Sequence, residues 1–225
     1  MAGIATPEYI KITPGQYVGT HKNERFLLSP YIPGSAPKTV SPELIQNFGA
    51  TLAKLHTSLA GVVIPKNDMQ WLSLKRVTND LDSYNGPFKA TLRTLLNRGS
   101  VIFSADLPRA VTHGDLWLNN VFAKGNEITT VFDLETAEET VRLVDIARTY
   151  TSIRFNSGYS IDEVIEGLVA GYNSVASQLL TAEEIANIKL AIMYVCGACA
   201  TWHAVHQTEY VEGYLKLADE VLAQN

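Results

Sequence analysis

The stretch from Thr112 to Phe122 reads THGDLWLNNVF and lies between the apolar runs LPRAV and VFAK. A solvent loop would be polar throughout, and a core strand would not carry Asp115 and Asn120. A second polar cluster, VFDLE, supplies Asp133 and Glu135. The residues between, NVFAKGNEITTVFD, have the form strand, Lys-Gly-Asn turn, strand. Asn120 opens the first strand and Asp133 closes the second, so antiparallel pairing sets them side by side. Carboxylates and an amide then converge at one end of a ribbon. Phosphoryl transfer uses such a set. A carboxylate accepts or steers the proton of an attacking hydroxyl, and oxygen ligands hold Mg2+ against the phosphates.

The elements that must position this ribbon follow from patterning. The first 38 residues are β-like. YIKI, QYVGT and RFLLSPYI are short strand-forming runs separated by TPG and HKNE turns, and PGSAP reads as a linker. In SPELIQNFGATLAKLHTSL, Ser41 is a helix N-cap, Pro42 suits the first helical position and Glu43 favours the positive helix end. Leu44, Phe48, Leu52 and Leu55 recur at helical spacing as a core-facing stripe. His56 ends that stripe and reads as a satisfied helix-end histidine. Residues 70–99 predict two helices broken at Asn85-Gly86-Pro87. Beyond the ribbon, LVDIARTYTSI, IDEVIEGLVAGYNSVASQLL, AEEIANIKLAIMYVCGACATWHAVH and YLKLADEVL are helical. The fold class is α+β, mainly α.

Of 225 residues, 46% are hydrophobic and 18% charged, a globular composition. The net charge is −5 and no Lys/Arg run reaches three residues, which argues against a nucleic-acid partner. No apolar stretch is expected to span a bilayer. MAGIATPEYIKITPG lacks the basic and apolar regions of a signal peptide, so the expected location is cytoplasmic.

Cys196 and Cys199 lie in VCGACATWHAV, and His203 and His206 complete a zinc-like C-x2-C-x3-H-x2-H on paper. The segment reads as one long apolar helix, which would hold the four in fixed rows. A redox CxxC normally opens a helix after a strand. Two reduced thiols in a helix interface are the expectation. Trp202 reads as core, with a cation-binding aromatic as the alternative. Glu138 and Glu139 read as solvent-facing. Arg148 and Arg154 have two readings, a local salt bridge or an acceptor carboxylate.

An aspartate followed at the fifth position by an asparagine, then by a second aspartate past a short hairpin, is the layout of a kinase catalytic loop and its metal-binding aspartate. HGDLWLNN resembles the H-G-D-x-x-x-x-N loop of the aminoglycoside phosphotransferase and choline kinase superfamily, a protein-kinase-like branch. VFDLE, LVDIA, LLSPYIPG and FGATLAKLHTS resemble further segments of that superfamily, in its order and spacing. The resemblance covers Pro7 to about Tyr150. TPEYI, GLVAGYNSV and TAEEI make the homoserine kinase type II subgroup the most similar.

The resemblance implies a large helical C-lobe over residues 39–225 and a remnant of the small β lobe, with the hinge, over residues 1–38. It implies ATP and Mg2+ as cofactors. Asp115 would be the catalytic base or would orient the acceptor hydroxyl. His113 would serve catalysis by fixing the loop backbone. Asn120 and Asp133 would hold Mg2+ and the nucleotide phosphates. Tyr31 and Ile32 would flank the adenine, Glu135 would sit by the acceptor or support the metal, and Asp145 would be a buried anchor. The partner would be a small hydroxyl acceptor: homoserine or another amino alcohol, with choline, ethanolamine, a sugar or an aminoglycoside as alternatives. No Gly-rich phosphate loop or paired strand lysine is identifiable. The chain is expected to begin near Ala2-Gly3, after the small-lobe helix of the family. Two further readings follow: a catalytically dead nucleotide- or partner-binding regulator, and a scaffold carrying relic residues. Surface left bare by a missing lobe predicts a homodimer.

Overall fold

The computed structural model describes residues 4–66 and 70–224. The expected start near Ala2-Gly3 lies outside them. The described residues form a helical body with three two-stranded ribbons.

The first ribbon pairs β1 (Val18–His21) with β2 (Glu24–Leu27). Lys22 and Asn23 both have positive φ, 48° and 70°, as a two-residue hairpin turn of matching twist requires. The expected third run, YIKI, is not a strand. It donates Ile10 N–H to Leu28 O, and Ile12 N–H to Gln16 O across the Thr13–Gln16 turn that reverses the chain. Pro30 and Pro33 keep RFLLSPYI from continuing past Leu27. No residue from 5 to 39 is fully buried, and Tyr9, Val18, Leu27 and Leu28 are exposed.

Helix α1 (Pro42–Ser58) begins as its sequence dictates, with the Ser41 side chain accepting from Leu44 N–H. The stripe Leu44, Phe48, Leu52 and Leu55 is buried, joined by Ile45. Helices α2 (Leu74–Ser83) and α3 (Lys89–Gly99) flank the expected break. Next come β3 (Arg109–Thr112), the ribbon β4 (Val121–Lys124) and β5 (Glu127–Val131), and β6 (Glu138–Val141). β3 pairs antiparallel with β6, a strand that patterning did not reveal. Glu138, expected to face solvent, is half-buried there, and burial raises its carboxyl pKa.

Helix α4 (Leu143–Phe155) is followed by α5 (Ile161–Val175) and α6 (Ala182–Val205), each of the latter two opened by a capping box. The expected helix through Leu180 stops at Val175. The backbone beyond is satisfied otherwise: Asn173 Oδ1 accepts from Leu180 N–H, and Arg142 donates to the carbonyls of Gln178 and Leu179. Helix α7 (Val211–Leu222) closes the chain.

α1 packs on α5, while α6 is surrounded by α2, α3, α4 and α7. That position explains why α6 is apolar on all sides. It also corrects the expectation that no apolar stretch could span a bilayer. α6 is long and apolar enough by length and composition, and 67% of its most apolar window is buried within the fold.

Candidate active site

The loop His113–Asn120 is held mainly from one face of α4. Asp145, in the first turn, accepts from His113 N–H at 2.7 Å and from Gly114 N–H at 2.8 Å. Arg148 reaches Asp115 Oδ1, with Nε at 2.9 Å and Nη2 at 2.7 Å. Thr149 donates to Leu116 O at 3.2 Å, and Ser152 accepts from Leu118 N–H at 2.9 Å. Positions 145, 148, 149 and 152 follow the i, i+3, i+4, i+7 stripe of a helix face. All four are buried, and a buried polar side chain requires such partners. Sequence reasoning found Asp145 but missed Thr149 and Ser152. Their signal is a polar stripe within an otherwise apolar helix.

Asp145 is fully buried. Burial alone would raise its carboxyl, but the hydrogen bond and charge of His56, with His113 and the Gly114 N–H, hold it below its usual range. His56 Nε2 lies 2.9 Å from Asp145 Oδ2, and its Nδ1 lies 2.9 Å from Tyr172 Oη. The helix-end histidine is therefore satisfied, as expected. Gly114 has φ +79°, and a Cβ there would meet Thr136 O at 2.7 Å, so only glycine fits this turn. His113 Nδ1 accepts from Asp115 N–H at 3.2 Å while Nε2 donates to Phe132 O at 2.8 Å. One ring thus ties the start of the loop to the end of the β4–β5 ribbon where Asn120 stands.

Phe132 N–H donates to Asn120 O at 2.9 Å, continuing the pairing past Val121 and Val131. Asn120 and Asp133 thereby stand at the same end of the ribbon. Asn120 Nδ2 donates to Asp115 O at 2.9 Å and to Asp115 Oδ2 at 3.2 Å. Its Oδ1 accepts no hydrogen bond from the described residues. Asp133 is exposed and left-handed, with φ 65° and ψ 60°, a conformation that aspartate tolerates and that clusters at functional sites. Two free oxygen donors beside each other suit a hard cation that takes its remaining ligands from phosphates and water. Among the described residues no group of three His, Cys, Asp or Glu could cage a metal by itself.

Asp115 opens on a cavity of about 530 Å3 whose wall includes Trp71, Glu135, Arg148, Trp202, His203 and Tyr214. Glu135, expected near the acceptor or the metal, faces this cavity. Trp202, read as core from the sequence, is half-buried and forms wall instead; it meets Trp71 edge-on at 6.2 Å and stacks on His206 at 4.2 Å. Arg154 is committed elsewhere, to Glu220 Oε2 at 2.6 Å and to Tyr159 O. Cys196 and Cys199 are buried free thiols inside α6, and burial pushes Cys199 up to about 11. Tyr31 and Ile32 are not brought to this cavity. Tyr31 is 88% exposed and Ile32 half-buried.

A mainly helical body, a histidine–glycine–aspartate loop clamped by a buried aspartate, and a ribbon ending in Asn120 and Asp133 define a kinase-like fold. The chain belongs to the phosphotransferase enzyme family known as APH, whose family model matches residues 1–182. It is 24% identical over 179 residues to a homoserine kinase of Rhodopseudomonas palustris, covering 76% of this chain and 54% of that protein. The chain thus spans about half the length of that relative. An amicoumacin kinase in complex with AMP-PNP, Ca2+ and Ami has the same fold, with TM-score 0.74 and 14% identity over 99% of this chain and 73% of that one. A choline/ethanolamine kinase family protein of Mesorhizobium loti aligns with TM-score 0.66 and 16% identity, covering 96% of this chain and 74% of that one.

Proposed function

We propose that the site moves the γ-phosphoryl group of ATP to a hydroxyl of a small molecule, with homoserine or another amino alcohol as the acceptor. The single observation that carries this reading is the position of Asp115. It borders the cavity on one side and is hydrogen-bonded on the other to Asn120, which shares its end of the ribbon with Asp133. An acceptor hydroxyl in the cavity would meet the Asp115 carboxylate, within reach for proton acceptance. Asn120 Oδ1 and Asp133 would hold Mg2+, which supplies charge neutralisation at the phosphates. His113 and Asp145 act on the loop backbone rather than on substrate. Tyr31 and Ile32, on the segment before Ser35, would border the adenine; Ser35 O is tied to Ala123 N–H of β4 at 3.1 Å. Family membership and the homoserine kinase relatives support the acceptor reading.

The test is direct. The chain is incubated with ATP, Mg2+ and in turn homoserine, choline, ethanolamine and an aminoglycoside, and phosphate esters are followed by 31P NMR. Ester formation that Asp115→Asn lowers by about 10²-fold or more supports the proposal; turnover near the wild-type rate after that change sinks it.

The exposed apolar residues of the β1–β2 ribbon favour a second reading, a nucleotide- or partner-binding module. Mg-dependent ATP binding by calorimetry without transfer to any acceptor would select it.

A further inference from the structure

The cavity wall is aromatic, and aromatic walls commonly receive cations. Here the cation is built in. The Arg148 guanidinium carbon lies 4.4 Å from the Trp117 ring centroid and 5.6 Å from that of Trp71. Trp202 is engaged by Trp71 and His206. The faces that a quaternary ammonium would need are therefore largely taken.

Arg148 is not saturated by its own contacts. Nε and Nη2 converge on a single oxygen of Asp115 instead of gripping both, and Nη1 donates to Thr151 Oγ1. These contacts engage no more than three of the five guanidinium N–H donors. Arg148 is 6% exposed yet lines the cavity, so its remaining donors sit where water is scarce. Its charge is paired with Asp115, and the imidazole and phenol beside it add none. Burial and the charge of Arg148 push His203 down to about 4, so it is neutral at pH 7. Burial raises the Tyr214 phenol, which is neutral as well. Arg76, also on the wall, binds both carboxylate oxygens of Asp80. Among the described residues, Asp115 and Glu135 are the carboxylates on this wall.

We propose that Arg148 sets the acceptor class: it receives the carboxylate of a hydroxylated acid, and its seat on Trp71 and Trp117 closes the cavity to quaternary ammonium alcohols. This rests on the phosphotransferase reading above. A carboxylate that docks on Arg148 brings its own hydroxyl toward Asp115, which the same guanidinium holds. An ammonium group on such an acid faces Glu135. An alcohol with a cationic head and no carboxylate gives the remaining donors of Arg148 no acceptor, and the rings that would take its head already hold the guanidinium.

The protein offers its own probe. It has three tryptophans; Trp71 and Trp202 line the cavity and Trp117 carries Arg148. Intrinsic fluorescence is titrated with homoserine, with its primary amide, which keeps hydroxyl and ammonium but lacks the carboxylate, and with choline. The wild type should bind homoserine about tenfold or more tighter than the other two, as one charge-assisted contact allows. Arg148→Met should erase that preference, and Arg148→Lys should retain part of it. Equal binding of the three by the wild type overturns the proposal, as does absence of homoserine binding. A preserved preference in Arg148→Met, with its helical circular dichroism intact, overturns it too. If Arg148→Met does not fold, the wild-type ligand series and Arg148→Lys decide. Phosphoryl transfer is scored separately. Transfer to choline but not to homoserine sinks the role of Arg148 and leaves the phosphotransferase reading standing. Carboxylate-selective binding without transfer to any acceptor does the reverse.

Discussion

The carboxylate of Asp145 and the imidazole of His56 meet at 2.9 Å in the closed interior, one on α4 and the other near the end of α1. They belong to a longer chain of buried polar contacts. Glu184 of α6 pairs with Arg142, which donates to Tyr172 Oη of α5 at 3.3 Å. Tyr172 meets His56, His56 meets Asp145, and Asp145 takes the N–H groups of His113 and Gly114. Four helices are thereby tied to one loop. Buried networks of this kind are costly when one member is lost, because each remaining group keeps its desolvation penalty.

Asp145→Asn should therefore cost about 3–5 kcal/mol, since it removes a buried charge from its partners and turns an amide N–H toward backbone donors. Urea unfolding of both proteins measures this. The pH dependence carries a sign. The Asp145 carboxyl is lower in the folded state than its ordinary value of 3.8, so the unfolded chain binds the proton more readily. Its stabilisation is full above that value and is lost as pH falls through the folded pKa. The wild type should lose stability more steeply than the variant below about pH 4. Parallel slopes would refute this account.

The Arg142–Glu184 pair has side chains only 5% and 0% exposed. Arg142 also donates to Gln178 O and Leu179 O, so it fixes the segment between α5 and α6. Removing one partner leaves the other charge buried and alone. Arg142→Met and Glu184→Gln should each destabilise by about 3–5 kcal/mol, and the double variant by less than their sum. A double-mutant cycle in denaturant gives the coupling directly. Additive losses would show that the pair acts as two independent contacts.

Gly49 on α1 and Gly171 on α5 let the two helices touch backbone to backbone. A Cβ at Gly171 would lie 1.8 Å from Gln46 O, and one at Gly49 would lie 2.1 Å from Leu168 O. Neither oxygen can move as a side chain can. Gly171→Ala should destabilise by roughly 1–3 kcal/mol or more despite the better helix propensity of alanine. Thermal unfolding followed by circular dichroism tests it. A rise in Tm would mean that the helices separate without cost.

The sequence made much of this arrangement readable, for identifiable reasons. α1 announces itself through Ser41, Pro42 and the stripe from Leu44 to Leu55, because capping and periodicity are local signals. The loop and ribbon were readable because Asp115, Asn120 and Asp133 stand at fixed chemical spacing. Strand β6 was hidden, since it is four residues long and opens with two glutamates, poor strand formers. YIKI had the right residues for a strand and lacked a partner to pair along its length. Trp202 looked like core because its helix is core; its exposure depends on where Trp71 and Tyr214 lie, which no local pattern encodes. Arg148, Thr149 and Ser152 are ordinary polar residues one by one. Only their spacing from Asp145 betrays a shared face.

Asp115 and Asp133 should fail in different ways. Asp115 touches the cavity and the loop, and in the proposed reaction its carboxylate would take a proton from a hydroxyl. Asp115→Asn keeps shape and hydrogen-bond capacity but loses basicity, so transfer should fall by about 10²–10⁴-fold, the usual yield of a positioned general base. Nucleotide affinity should change little. Asp133 is exposed, left-handed and without a hydrogen-bond partner among the described residues, so it has little structural duty. Asp133→Ala should leave the unfolding midpoint nearly unchanged and remove the Mg2+ dependence of ATP binding in calorimetry. The two variants therefore separate proton acceptance from metal holding within one ribbon. Retained Mg2+-dependent binding in Asp133→Ala would remove that residue from the metal site, and a large stability loss would show that its backbone conformation, rather than its charge, is what the fold requires.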